Sequence, residues 1–216
     1  MRPKLIIFDV DGLMLDTEAR CQQAWQEIGA RYHIDDLGQT TFLKCVGRNG
    51  KEVEDIVRDD LKEFNVNPVD ILNEARIYGR QLLKERIDPK EGIYELLDKL
   101  NQLPIQKAVA TATNRDLTIE RLTRLHLIQF FDYLLCGDEV TKRKPNPEIY
   151  NKVLQHFHVN PKEALVLEDS LVGVEAAYHA HIPCIMIPDL VPATQKQKDE
   201  TIAIVSSLFE VIDYID

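Results

Sequence analysis

Residues 4–12 read Lys4-Leu5-Ile6-Ile7-Phe8-Asp9-Val10-Asp11-Gly12. Four apolar residues in a row, with no polar alternation, fit a strand buried on both faces, as in a parallel sheet. The run stops at two carboxylates one residue apart and at a glycine that lets the chain turn sharply. Runs of the same kind return at 105–110, 133–136, 164–167 and 184–187. Helix-length segments lie between them, at 93–103, 116–125, 147–157 and 171–180. This alternation predicts βαβ units and the α/β class, with a doubly wound parallel sheet.

Residues 17–87 depart from that rhythm. They contain no buried-strand run and are rich in Glu, Lys, Arg, Leu and Gln. Ala24, Trp25, Ile28 and Tyr32 recur at helical spacing, as do Val53, Ile56, Val57 and Leu61. Ile71, Leu72, Ala75, Tyr78 and Leu82 form a third stripe, and Pro68 suits the first turn of its helix. Trp25 reads as core of this module rather than as a substrate platform. The expected organisation is a core of residues 1–15 and 88–216 with an all-helical insertion at 16–87.

Composition narrows the function classes. The chain has 216 residues, enough to bury roughly 70% of its unfolded surface without a disulfide or metal staple. Lys plus Arg is 26 and Asp plus Glu is 36, a net charge of −10. That excess repels nucleic acid and anionic membranes but leaves small anionic substrates open. Cys21, Cys45, Cys136 and Cys184 form no CxxC pair and read as small semi-buried side chains in a reducing compartment. The first apolar run ends at Asp9, too soon for a signal-peptide core, and no uncharged run approaches the roughly 18 residues of a membrane span. A soluble cytoplasmic protein is expected, with no nucleic acid, no membrane and no evident protein partner.

Chemistry-bearing residues stand at or just after the ends of the expected strands, the edge where parallel α/β sheets bind ligands. Asp9 and Asp11 follow the first strand, Thr111 the second, and Lys144 lies downstream of the third; Glu168 and Asp169 end the fourth. Carboxylates crowded on one spot repel one another and need a cation. Hard oxygen donors suit Mg²⁺, which keeps waters and binds beside a phosphate. A lysine and a threonine nearby fit phosphoryl oxygens. One carboxylate can attack phosphorus and form an aspartyl phosphate. A second, two residues on, can protonate the leaving oxygen and later take a proton from water. Each feature alone has a plainer reading. Asp-x-Asp is a common turn, Lys144 belongs to a basic patch with Lys142 and Arg143, and Asp169 or Ser170 can simply cap a helix. Their order along the chain, each at the proper end of its strand, carries the inference.

With these motifs in place, the chain resembles the haloacid dehalogenase superfamily hydrolases that carry an inserted helical cap. Residues 8–18, Phe8 to Glu18, are similar to the family's first motif and flap. Thr111, Lys144-Pro145-x-Pro147 and Glu168-Asp169-Ser170-x-x-Gly173-Val174 are similar to the second, third and fourth. The likeness covers nearly the whole chain and points to the β-phosphoglucomutase-like and sugar-phosphate phosphatase branch. It implies Asp9 as nucleophile and Asp11 as general acid/base. It implies Mg²⁺ on Asp9, the Asp11 backbone carbonyl and Asp169, with Glu168 direct or through water. It further implies substrate contacts from Gly12, Thr111, Ala112, Thr113, Asn114 and Lys144, and hydrolysis of a small phosphorylated metabolite such as a phosphosugar. The alternatives are a phosphomutase on the same scaffold and a non-catalytic phosphate-binding or regulatory relative. A signalling receiver, about half this length, has no room for the helical insertion. The Asp9-x-Asp11 pair argues against true dehalogenases.

Two positions depart from the family pattern. Ala180-His181 stands where Ala-Gly is usual, so His181 is expected at a left-handed helix end. Cys21 stands where the branch's mutases carry a histidine, which weakens the mutase alternative. His156-x-His158 and His179-x-His181 place their side chains on different sides of a helix and make poor chelates. Gly47-Arg48-Asn49-Gly50-Lys51 lacks the spacing and the Ser or Thr of a nucleotide-binding loop. The family's specificity loop lies near this stretch, so Gly47 and Arg48 are candidates to meet the far end of a substrate; a solvated turn is the plain alternative.

Overall fold

The structure is a computed structural model and describes residues 2–48 and 50–215. It divides into two compact units, Asp16–Ile87 and the combination of Met1–Leu15 with Asp88–Asp216.

Asp16–Ile87 is helical. Its helices are α1 (Thr17–Tyr32), α2 (Phe42–Cys45), α3 (Lys51–Asp60) and α4 (Pro68–Glu85), with a π-helical turn at Leu37–Thr41. Helices α1 and α4 pack together, burying Ala24, Trp25 and Ile28 with Ile71, Leu72 and Ala75. Gly79 of α4 sits opposite Ala24 and Cys21. Trp25 lies 5.4 Å from the Phe42 ring, a core position as expected. Pro68 opens α4, and the Asn67 side chain caps it by accepting from Val69 N–H at 3.0 Å. The apolar stripes read from spacing are imperfect. Tyr32 is exposed and donates to Glu74 at 2.6 Å, and Leu83 rather than Leu82 is buried.

The other unit holds strands β1 (Leu5–Phe8), β2 (Gln106–Ala110), β3 (Tyr133–Leu135), β4 (Ala164–Glu168), β5 (Cys184–Met186) and β6 (Ala203–Ile204). All are parallel, in the order β3-β2-β1-β4-β5-β6. Helices α5 (Ile93–Asn101), α6 (Arg115–Arg124), α7 (Glu148–Phe157), α8 (Leu171–His179), α9 (Gln195–Glu200) and α10 (Leu208–Val211) complete it. The apolar runs became strands because side chains on both faces had to be covered: every residue of β1 is fully buried. β6 leaves no run in the sequence, because it is two residues at a sheet edge, Ala203 half-buried and Ile204 exposed. The order reverses beside β1, the switch point at which doubly wound sheets open a crevice. Phe8 aligns with Val109 of β2 and Leu167 of β4, so the residues that follow all three strands emerge at one edge.

Among the described residues, the non-glycine positions with left-handed backbone are His33, His126, His158 and His181, at φ between 52° and 58°. They close α1, α6, α7 and α8 at a cost of about 1–2 kcal/mol each relative to glycine. His181 therefore stands as expected. His156 stacks on Tyr133 at 3.8 Å, and His179 Nδ1 lies 3.3 Å from the Pro145 carbonyl, so one histidine of each pair has a structural partner. Cys45, Cys136 and Cys184 are buried free thiols, and Cys21 is half-buried. Among the described residues no helix is long and apolar enough to cross a membrane.

Candidate active site

The carboxyl edge of the sheet is fastened by the backbone. Asp9 N–H donates to Leu167 O at 3.1 Å and Thr111 N–H to Leu135 O at 3.2 Å, which carries the ladder one residue past β1 and β2. Asp9 is buried there. Its Oδ2 accepts from Val10 N–H at 2.6 Å and its Oδ1 from Lys144 Nζ at 2.7 Å. Burial pushes the Asp9 carboxyl up to about 7; Lys144 opposes the shift, while the charges of Glu168 and Asp11 add to it.

Lys144 spends its three ammonium protons on Asp9 Oδ1, on Glu168 Oε1 at 2.5 Å and on the Ala110 carbonyl at 3.1 Å. Burial works against its charge, but Asp9 and Glu168 outweigh it and hold the lysine well above its ordinary value. The Lys144–Pro145 peptide bond is cis.

Glu168 is fully buried and takes five donors. Its Oε1 accepts from Lys144 and from Tyr150 OH at 2.9 Å. Its Oε2 accepts from Asp169 N–H, Ser170 N–H and Ser170 Oγ at 3.0–3.1 Å. Ser170 Oγ also accepts from Gly173 N–H and caps α8. The carboxylate lies so close to this first turn that a Cβ on Gly173 would come 1.9 Å from Oε1. Glu168 thus anchors Lys144 and the start of α8, with both oxygens engaged.

Asp11 is half-buried. Arg121 Nη1 donates to its Oδ1 at 2.7 Å, and Thr113 Oγ1 donates to its Oδ2 at 2.6 Å. Thr111 is buried, and its Oγ1 accepts from Thr113 N–H at 3.1 Å. Ala112 and Asn114 are exposed, and the Asn114 side chain caps α6 through Leu117 N–H at 3.0 Å. Gly137 braces this loop from below. Its N–H donates to Thr113 O at 2.9 Å, and a Cβ there would come 2.0 Å from Ala112 O.

Asp169 is buried against Gly12. A Cβ at Gly12 would fall 2.2 Å from Asp169 Oδ2 and 3.4 Å from Asp189 Oδ2, and its φ is +88°. Only glycine meets both demands. Asp189 pairs with Lys90 at 2.6 Å. Asp9, Asp11, Gly12, Thr111, Ala112, Thr113, Asn114, Lys144, Glu168 and Asp169 therefore belong to one unit and gather at its sheet edge. Gly47 and Arg48 are exposed in the other unit, where Arg48 pairs with Glu52; Asn49 lies outside the described residues.

Sequence reasoning missed Tyr150, Arg121, Gly137 and Asp189 and assigned Gly173 no task. Tyr150 carries a faint signal, a tyrosine on the buried face of α7 whose hydroxyl needs a partner. Arg121 carries none, since a lone arginine on a helix reads as solvated.

The donor set can be tested against Mg²⁺. Asp9 and Asp169 offer carboxylate oxygens and the chain at Asp11 offers a carbonyl, all hard donors. Gly12 leaves the Asp169 carboxylate room to lie against this turn. Among the described residues no three His, Cys, Asp or Glu side chains form a group that could hold a metal by themselves. Two carboxylates and a carbonyl match an ion that retains waters and shares a substrate phosphate. Glu168, with both oxygens occupied, fits that shell only indirectly.

The family model of haloacid dehalogenase-like hydrolases matches residues 6–187. The chain is 34% identical to the phosphorylated carbohydrates phosphatase of Thermotoga maritima, over 82% of this chain and 81% of that one. It superposes on the structure of CbbY from Rhodobacter sphaeroides in complex with phosphate with a TM-score of 0.71 at 26% identity, covering 97% of this chain and 96% of that one. The β-phosphoglucomutase of Clostridium difficile shares the fold, with a TM-score of 0.76 at 22% identity over 99% of this chain and 95% of that one. The strand order, the acidic sheet edge and these likenesses agree: the chain belongs to the haloacid dehalogenase-like hydrolases, in their β-phosphoglucomutase-like, sugar-phosphate phosphatase branch, and is a phosphoric monoester hydrolase.

Proposed function

We propose that the protein hydrolyses a small phosphosugar or similar phosphorylated metabolite through an aspartyl phosphate on Asp9, in the cytoplasm and with Mg²⁺. The observation that carries this is the buried Asp9 carboxylate, held by Lys144 at the switch point of the sheet with Asp11 two residues on. Asp9 and Asp169, with the Asp11 carbonyl, would hold Mg²⁺, which when bound neutralises carboxylate and phosphate charge. In this reading the Thr111 loop holds the phosphoryl oxygens, and the Lys144 ammonium turns one of its three protons from its resting partners to them. An Asp9 oxygen attacks phosphorus as the ester P–O bond breaks, and Asp11 gives its proton to the leaving oxygen. Water then attacks the same phosphorus, Asp11 takes a water proton, and Asp9 and inorganic phosphate are released. The unit Asp16–Ile87 is the cap in this scheme, with Gly47 and Arg48 in its specificity loop.

The phosphomutase alternative shares the first step and must shield the intermediate from water until a sugar hydroxyl arrives. Cys21 cannot supply the hydrogen bonds of the histidine that the branch's mutases carry there, which favours hydrolysis. A non-catalytic role would leave Asp9 buried among like charges with no return for the cost. The test is phosphate release from a panel of sugar, polyol and nucleotide phosphates, with Mg²⁺ and with chelator, for the parent and Asp9→Asn. Release that needs Mg²⁺ and vanishes in a folded Asp9→Asn variant is expected; release by that variant within tenfold of the parent refutes the nucleophile. Phosphorus NMR of β-glucose 1-phosphate with a trace of bisphosphate primer separates the two chemistries, since glucose 6-phosphate forming faster than phosphate would mark a mutase.

A further inference from the structure

Asp11 is held by two donors that its motif does not announce. Its side chain and that of Arg121 are 18% and 12% exposed, so their 2.7 Å pair is not a loosely solvated surface contact. Arg121 lies on α6, seven residues after the capping Asn114 and therefore two turns along the same helix face. Thr113 closes the other side, its hydroxyl 2.6 Å from Asp11 Oδ2. That hydroxyl has a single proton to donate. In the phosphatase reading, on which this inference rests, Thr113 belongs to the loop that receives the phosphate. One O–H cannot serve Asp11 and a phosphoryl oxygen together.

We propose that Arg121 is a positioning residue that acts through Asp11, and that Thr113 is the release. Between turnovers the guanidinium and the hydroxyl hold the Asp11 carboxylate on the α6 side of the site. An arriving phosphoryl oxygen draws the Thr113 O–H to itself, and Asp11 keeps one tether instead of two. The remaining Arg121 contact, a single Nη1–H to Oδ1, limits where the carboxylate can go. Acid–base readiness is thereby tied to phosphate occupancy inside the sheet unit, by residues of that unit alone. Lysine at position 121 would retain the charge but not the fixed direction of the guanidinium N–H.

Arg121→Gln is expected to lower kcat on an alkyl phosphate by about 10- to 100-fold, part of the usual worth of a positioned acid–base group. KM should stay within threefold, because Lys144 and Thr111 are untouched, and Arg121→Lys should recover part of kcat. The burst of p-nitrophenolate from p-nitrophenyl phosphate should be unchanged, because that leaving group needs no proton. In a double-mutant cycle, Arg121→Gln should cost nothing further once Asp11 is Asn. An additive loss, or a burst slowed as much as alkyl turnover, overturns the proposal. A readout free of turnover is the Arg121 guanidinium NMR signal. It should be protected from exchange in the parent, lost in Asp11→Asn, and retained when inorganic phosphate is added with Mg²⁺; a signal indifferent to Asp11→Asn overturns the proposal even if Arg121→Gln fails to fold. A parent that releases no phosphate from any ester would sink the phosphatase reading, while the Asp11-dependent signal would still test the tether.

Discussion

Gly173→Ala adds a single methyl group, and the structure says where it must go. The new Cβ would lie 1.9 Å from Glu168 Oε1, 2.0 Å from Cδ and 2.3 Å from Oε2. The end of a flexible side chain ordinarily swings clear of such a clash at little cost. This one is fully buried and takes five hydrogen bonds, from Lys144, Tyr150, Asp169 and two groups of Ser170. Hydrogen bonds to a charged group are worth about 1.5–3 kcal/mol each, so giving up two costs about 3–6 kcal/mol. Alanine's better helix propensity returns about 1 kcal/mol. The net loss of about 2–5 kcal/mol is a large share of the 5–15 kcal/mol that typically holds a domain folded. With a urea slope of about 2 kcal/mol/M, the midpoint by far-UV circular dichroism should fall by about 1–2.5 M. Turnover should fall too, because Lys144 loses the carboxylate that fixes it beside Asp9. An unchanged midpoint would refute the reasoning, since it would mean that Glu168 can leave its site freely.

Gly79→Ala is the opposite case: in α4 its Cβ would meet nothing closer than Ala24 Cβ at 3.6 Å, so the same substitution should raise stability by about 0.5–1 kcal/mol in urea melts. Burial raises the Asp9 carboxyl from its ordinary value to about 7 in the fold, so without metal its contribution to stability declines as pH rises through that window. Mg²⁺ binds the ionised carboxylate, and the rise in Tm it produces should therefore be larger at about pH 8 than at about pH 5.5; equal shifts would remove Asp9 from the metal shell. Arg48→Ala should raise KM severalfold for a substrate with a second anionic or polar end and leave p-nitrophenyl phosphate unaffected, whereas equal effects on both would assign Arg48 to the fold of its own unit.

The sheet was legible in the sequence because a strand covered on both faces can hold little but apolar residues, a demand that Leu5–Phe8, residues 164–167 and Cys184–Met186 obey while β2 opens on Gln106 and Lys107. The acidic edge was legible for a related reason. Asp9, Asp11, Glu168 and Asp169 follow such runs directly; each alone could be a turn or a cap, but their shared place at the strand ends marks the edge. The helical unit was legible in kind but not in detail. Helical period survives small errors of phase, so Leu82 could be mistaken for Leu83, and Tyr32 could carry an apolar ring on an exposed site.

Only the tertiary structure decided who touches whom. Glu168 reads as one more acidic ligand, yet burial at the end of β4 commits both its oxygens to Lys144, Tyr150, Ser170 and the backbone. Arg121 is 110 residues from Asp11 in the chain and meets it only because β1 and β2 are neighbours in the sheet and α6 follows β2. Gly137 and Gly173 look like ordinary glycines until the atoms that crowd them are in place. Local sequence carries the strand, the helix and the charge, because each follows from the residue and its near neighbours. Pairings across the sheet edge depend on register and strand order, which no stretch of this chain contains by itself.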